Sequence, residues 1–280
     1  MRFRQLACLV LLVGGLGACS NTFVYNQLDW LIPWYVDDYV DLDRDQKRLF
    51  KTRLRTLLKW HRGEELASYI EILDRIEVDL QGPVTGEQVE DWANLTYAAY
   101  ERVEVRMLPL LFEIGNELSD DQMQEFIDKL ADEQAELEEE YLERSDDEYF
   151  EDSRDSFVDN LDDFLGRLTP EQIDVLETAA AGLQRFDAAW LEERGQWLTT
   201  LSRLLQREPG WEDAVVQALA DRERNRTEAY RRVYAHNGVI VNNAIADVLT
   251  MRTEQQAARL QRELDDLRHD LRKLIEQGES

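Results

Sequence analysis

Apolar side chains recur at steps of three and four along almost the whole chain beyond Asp43, a period that an α-helix presents as one face. Leu66, Tyr69, Ile70, Leu73, Ile76 and Leu80 make the first run. After a Gly82-Pro83 break, Val89, Trp92, Thr96, Val103, Met107 and Leu110 make the second. A third takes Met123, Phe126, Leu130, Leu137 and Tyr141 and resumes at Phe157, Leu161, Phe164 and Leu168. The fourth, close to a heptad, extends from Ile173 to Leu204 and stops at Pro209-Gly210. The last starts near Trp211, is expected to pause at His236-Asn237-Gly238, and closes on Leu260, Leu264, Leu267, Leu271 and Leu274. Runs of about 30 to 45 residues with stripes one face wide need neighbours on that face. The expected fold is all-α: an elongated antiparallel bundle of long helices, coiled-coil-like in part. Only 18 of 280 residues are Gly or Pro, and Glu, Leu, Arg and Ala dominate, which excludes a turn-rich β-sandwich.

The N-terminus reads as an address. Arg2 and Arg4 precede an apolar stretch, Leu6 to Val13, that is too short to span a bilayer, and Leu16-Gly17-Ala18-Cys19 follows. This arrangement resembles lipoprotein precursors. The resemblance implies that Leu16, Gly17 and Ala18 are recognised by the signal peptidase and that Cys19 carries diacylglycerol and a further acyl chain such as palmitate. Two chains suffice for stable anchoring. Ser20 stands where Asp would favour retention in the inner membrane, so the resemblance implies the outer membrane, with the body facing the periplasm. The expected organisation is residues 1–18 as signal peptide, 19–42 as lipidated N-terminus and aromatic-rich segment, and 43–280 as periplasmic helical domain.

Cys8, the other cysteine, lies within the signal, so the mature chain is expected to hold no disulfide. The net charge of −27 is expected to repel a phosphate backbone and anionic lipid headgroups alike, and nucleic acid is not an expected partner. Charge is also unevenly spread. Residues 118–163 hold 20 acidic side chains against Lys129, Arg144 and Arg154, whereas residues 43–62 hold eight basic ones against Asp43 and Asp45. Mutual cancellation of the two helices, or plain solvation, is the favoured expectation; the alternatives are an acidic face for cationic partners and a basic face for lipid A or another acidic envelope component.

Phe23, Tyr25, Trp30, Trp34, Tyr35 and Tyr39 crowd into 20 residues. We expect a short helix broken before Pro33, its aromatics packed on the bundle, with a membrane-interface segment as the alternative, although Asp29, Asp37, Asp38 and Asp41 argue against an anionic surface.

Leu168-Thr169-Pro170-Glu171-Gln172 fits Leu-Thr-x-x-Gln, and Leu118-Ser119-Asp120-Asp121-Gln122 is a close variant; looser versions run from Val84 to Gln88 and from Leu42 to Gln46. Each has the form of a capping box. The cap hydroxyl accepts from the third helical amide, the Gln reaches back, and Leu168 staples onto Ile173. The motif also resembles that of the periplasmic Spy and CpxP proteins, which implies chaperone or envelope-stress activity. A broader resemblance lies in Tyr25-Asn26-Gln27-Leu28-Asp29-Trp30, Trp34-Tyr35 and Asp38-Tyr39-Val40-Asp41-Leu42 up to Gln46. With the lipobox, these residues resemble an uncharacterised, domain-of-unknown-function family of proteobacterial lipoproteins. That resemblance implies location and fold and no activity.

Catalytic inventory is poor. His61, His236 and His269 sit in polar stretches expected to be exposed, and no Ser or Cys occupies a nucleophile elbow. Asp266-Leu267-Arg268-His269 lacks the second Glu-x-x-His pair of a di-metal bundle. Asp41, Asp43 and Asp45 open like a calcium loop, but Gln46 and Thr52 replace its Gly and Glu. No enzyme, metal or cofactor is expected. The chain is expected to bind or scaffold an envelope protein partner while held to the membrane by its lipid.

Overall fold

The computed structural model describes residues 19–279, and no strand occurs among them. The chain is an all-α helical bundle. Its helices are α1 (Cys19–Tyr25), α2 (Leu28–Val36), α3 (Arg44–Trp60), a π-helical turn (His61–Glu65), α4 (Leu66–Asp79), α5 (Gly86–Glu117), α6 (Asp120–Glu143), α7 (Asp146–Leu165), α8 (Pro170–Gly182), α9 (Asp187–Leu204), α10 (Trp211–Ala220), α11 (Arg222–Asn225), α12 (Glu228–Thr250) and α13 (Glu254–Glu279).

Helix α5 is the spine. Its 32 residues reach about 48 Å, and it packs against α3, α4 and α12. Along that length it contributes to three apolar clusters. Val89 and Trp92 join Leu165, Leu168, Leu176, Val248, Leu260 and Leu264 at one end. Ala99 lies with Tyr25, Leu28, Leu66, Tyr69 and Leu274. Leu110 and Ile114 meet Val40, Phe50, Leu54 and Met123 at the other end. The C-terminal seam of α13 lies on α4 and α7, as its leucine spacing requires.

Several helix boundaries differ from the periodicity. The third run is cut at Arg144, because Ser145 accepts from the Glu148 amide and Glu148 bonds back to Ser145, which starts a new helix. The fourth is cut between Gly182 and Asp187. Asn237 supplies the reason: its Oδ1 accepts from the Gln184 amide at 2.8 Å and its Nδ2 donates to the Gln184 carbonyl at 2.7 Å. His236-Asn237-Gly238, expected to interrupt the last run, is instead continuous α12. The real interruptions fall before Thr227, which accepts from the Tyr230 amide, and before Thr253, which accepts from the Gln256 amide. Pro33 does not end its helix. It lies inside α2, and the Asp37 amide donates to its carbonyl at 3.1 Å. Arg207 adopts a left-handed φ of 58°, and its guanidinium donates to the carbonyls of Gly115 and Leu118, closing the C-terminus of α5.

Candidate functional site

Two constellations stand out, a pair of glutamine bridges, one buried and one half-buried, and an exposed aromatic and cationic face. The capping boxes supply the first. Asp43, Thr85, Ser119 and Thr169 each accept from the amide three residues on, while Gln46, Gln88, Gln122 and Gln172 reach back to the cap amide. Leu168 and Leu118, which precede two of these caps, are buried. Three of these glutamines, together with Gln256, then pair across the fold. Gln46 and Gln122 exchange hydrogen bonds of 2.9 and 2.8 Å, and their amides also donate to the carbonyls of Glu117 and Asp41. Gln172 and Gln256 repeat the arrangement between the starts of α8 and α13, their amides donating to the Val248 and Arg167 carbonyls. The box at Thr253 and Gln256 escaped sequence reasoning. Its signal was there, a Thr three residues before a Gln, without a preceding Leu or a following Pro.

The aromatic-rich segment divides between interior and surface. Tyr25 and Tyr39 are buried, whereas Phe23 is 65%, Trp30 60% and Trp34 57% exposed. Trp30 and Trp34 stack on each other with their rings 6.4 Å apart and 10° from parallel. The expectation that these aromatics pack on the bundle therefore fails for Phe23, Trp30 and Trp34. An open cleft of about 150 Å³ runs along the pair, lined by Trp30, Pro33, Trp34, Leu42, Phe50, Asp37 and the two lysines Lys47 and Lys51.

Segment 19–25 is fastened to the body by its polar groups. Thr22 donates to Asp270 at 3.1 Å, and Asn26 donates to Gln277 while accepting from Arg62. Tyr25 lies 2.8 Å from Nδ1 of His61, and Nε2 of His61 lies 3.0 Å from the Tyr69 hydroxyl. His61 is thus buried, contrary to the exposure expected of its basic neighbourhood, and burial lowers its pKa to about 4. His236 and His269 are exposed. Burial likewise pushes the Tyr25 hydroxyl up to about 12, so it stays a neutral hydrogen-bonding group.

The basic run touches the acidic segment through Gln46, Phe50 and Leu54, but its charges do not pair with it. Among the described residues no ion pair joins residues 43–62 to residues 118–163. Arg53 pairs with Glu113, Lys47 with Asp37 and Asp41, and Arg48 with Asp45, whereas Arg144, Arg185, Arg194 and Arg207 pair with Asp152, Asp146, Glu133 and Asp120 of the acidic helices. The reason is rotational. Gln46, Phe50 and Leu54 point α3 into the core, and Arg44, Arg48, Lys51 and Arg55 occupy an exposed stripe at steps of four, three and four. Together with Lys47 and Thr52 they line a shallow groove beside the tryptophan cleft.

Of the other sequence candidates, Leu16, Gly17 and Ala18 lie outside the described residues, and Cys19 is the first residue of α1. No described helix is long and apolar enough to cross a membrane. Among the described residues no group of three or more His, Cys, Asp or Glu is placed to hold a metal ion.

A model described as a family of unknown function (DUF6279) matches residues 38–231. Comparisons with curated proteins and with solved structures returned no match.

Proposed function

The chain belongs to this family of unknown function, and from its own residues we propose that it is an outer-membrane lipoprotein whose periplasmic helical body binds or scaffolds an envelope protein. Cys19 carries the lipid. One observation supports this reading beyond the lipobox itself: Cys19 lies in a helix whose Thr22 and Tyr25 are bonded to the body, so the anchor and the fold are joined without a linker. The three exposed aromatics follow within four to fifteen residues of the anchor, where amphipathic rings suit a membrane interface. The body acts by binding and not by catalysis. His61 has both ring nitrogens occupied by tyrosine hydroxyls, and the Leu-Thr-x-x-Gln residues serve as helix caps and bridges. The alternative of a Spy-like chaperone rests on the motif resemblance alone.

Metabolic labelling with palmitate tests the proposal. Cells making the wild-type chain should yield a labelled, cleaved product in the outer-membrane fraction. Cys19→Ala should yield an unlabelled precursor that stays in the inner membrane; normal outer-membrane fractionation of that variant refutes the reading.

A further inference from the structure

We infer that the face shared by α2 and the start of α3 is a lipid-docking surface, on which Trp30 and Trp34 enter the bilayer interface while Arg44, Arg48, Lys51 and Arg55 meet the phosphates of anionic headgroups. This rests on the anchored reading above and names what the surface next to the anchor touches.

Three observations converge on it. First, the apolar and cationic parts meet at two lysines. Lys47 and Lys51 line both the tryptophan cleft and the neighbouring groove of Arg44, Arg48, Thr52 and Arg55. A phospholipid presents the matching sequence of groups, with a phosphate above the first methylenes of its chains. Second, Arg44, Lys51 and Arg55 have no ion-pair partner among the described residues, so their charges are available to an external anion; Arg48 pairs with Asp45 in its own helix turn. Third, the location follows from connectivity. α1 holds Cys19 and exposes Phe23, and α2 follows after two residues with Trp30 and Trp34 exposed.

The net charge of −27 does not oppose this docking. The acidic excess is concentrated in residues 118–163, and charges farther than about 8–10 Å from the lipid are screened at physiological salt. Nearer acids are Asp29, Asp37, Asp38, Asp41 and Asp45; Asp37 and Asp41 pair with Lys47 and Asp45 with Arg48, which leaves Arg44, Lys51 and Arg55 as the unpaired cations of the stripe among the described residues.

The test uses the chain from residue 19 with Cys19→Ser, so that no acyl chain confuses the result. Flotation is measured with vesicles of phosphatidylethanolamine and phosphatidylglycerol in a ratio of roughly three to one, and with vesicles of phosphatidylcholine alone. Binding to the anionic vesicles should exceed binding to phosphatidylcholine by about tenfold and should fall steeply when salt is raised to about 0.3 M. Lys51→Glu with Arg55→Glu should cut anionic binding by about tenfold or more with an unchanged melting temperature. Trp30→Ala with Trp34→Ala should weaken what binding survives high salt. Equal binding by wild type and the charge-reversed variant overturns the inference. So does a wild-type chain that ignores both vesicles and sediments as a dimer that becomes a monomer when Lys51, Arg55, Trp30 and Trp34 are changed, since the face is then covered by a second copy. If palmitate labels Cys19 in cells yet the unlipidated chain binds neither vesicle, the docking surface falls and the anchor stands. If Cys19 takes no label, the anchored reading falls and this inference with it.

Discussion

Gln172 and Gln256 hydrogen-bond each other twice, at 3.0 and 2.8 Å, while each also accepts from the amide of its own helix cap. Gln172 is fully buried and Gln256 nearly so. Each side-chain amide thereby has its donors and acceptor satisfied inside the protein, and two helix starts that lie 84 residues apart are locked together.

Removing either glutamine leaves the other with buried, unpaired groups. Gln172→Ala and Gln256→Ala should therefore each destabilise by about 2–4 kcal/mol, more than one hydrogen bond is worth on its own. The double variant should cost less than the sum of the two, because the second truncation removes a partner already orphaned. Urea denaturation of the four members of the cycle measures this. Strict additivity would mean that the bridge contributes no coupling.

The cap hydroxyls are a separate and smaller contribution. Thr169→Ala and Thr253→Ala should each lower stability by about 1 kcal/mol, and Thr169→Ser should be nearly silent because it keeps the acceptor. Thermal melts of the three variants decide it. A cost of Thr169→Ser equal to that of Thr169→Ala would assign the effect to the methyl group and not to the cap.

His61 makes stability depend on pH in the acid range. Its folded pKa of about 4 lies below the ordinary 6.5, so between those values the unfolded chain binds more protons than the native one. Stability from this group is complete above pH about 6.5 and is lost as pH falls towards 4. Glu65 on the same π-helical turn favours the charged ring and Arg62 opposes it, both less strongly than burial. Relative to His61→Gln, the wild type should lose about 2 kcal/mol on going from pH 7.5 to pH 5. Urea midpoints at the two pH values give the difference; parallel behaviour of the two proteins would contradict a buried neutral imidazole.

Gly86 reverses a common rule. Replacing a helical Gly by Ala usually stabilises by a few tenths to 1 kcal/mol, but a Cβ at Gly86 would lie 2.1 Å from Oδ1 of Asn243 on α12. Gly86→Ala should thus destabilise by about 1–3 kcal/mol, and Asn243→Ala in the same chain should recover part of that loss. A Gly86→Ala variant more stable than wild type would show that Asn243 swings aside without cost.

What could be read from the sequence was local. The capping boxes at Ser119 and Thr169 depend on contacts three residues apart, and the apolar stripes on contacts three and four apart, so both were legible. The glutamine bridges join residues 76 and 84 positions apart, and nothing local marks Gln46 for Gln122 or Gln172 for Gln256. The same limit explains Asn237. Read alone with its glycine it suggests a turn, whereas in the fold its amide caps the connection between α8 and α9 from within a continuous helix. The rotation of α3 is the counterpart for the candidate surface. Charge totals left open whether the basic and acidic helices cancel or are both solvated; which face is buried is decided by Gln46, Phe50 and Leu54, and that turns the cations outward.

Helix α5 gives the molecule its cooperativity. Because Val89 and Trp92, Ala99, and Leu110 and Ile114 serve three different clusters, no cluster can come apart without fraying a helix that the other two are holding. Partial opening from either end is thereby penalised, and the amides in the middle of α5 should exchange with solvent only through global unfolding. One rod shared by three cores lets an extended bundle melt as a single unit instead of segment by segment.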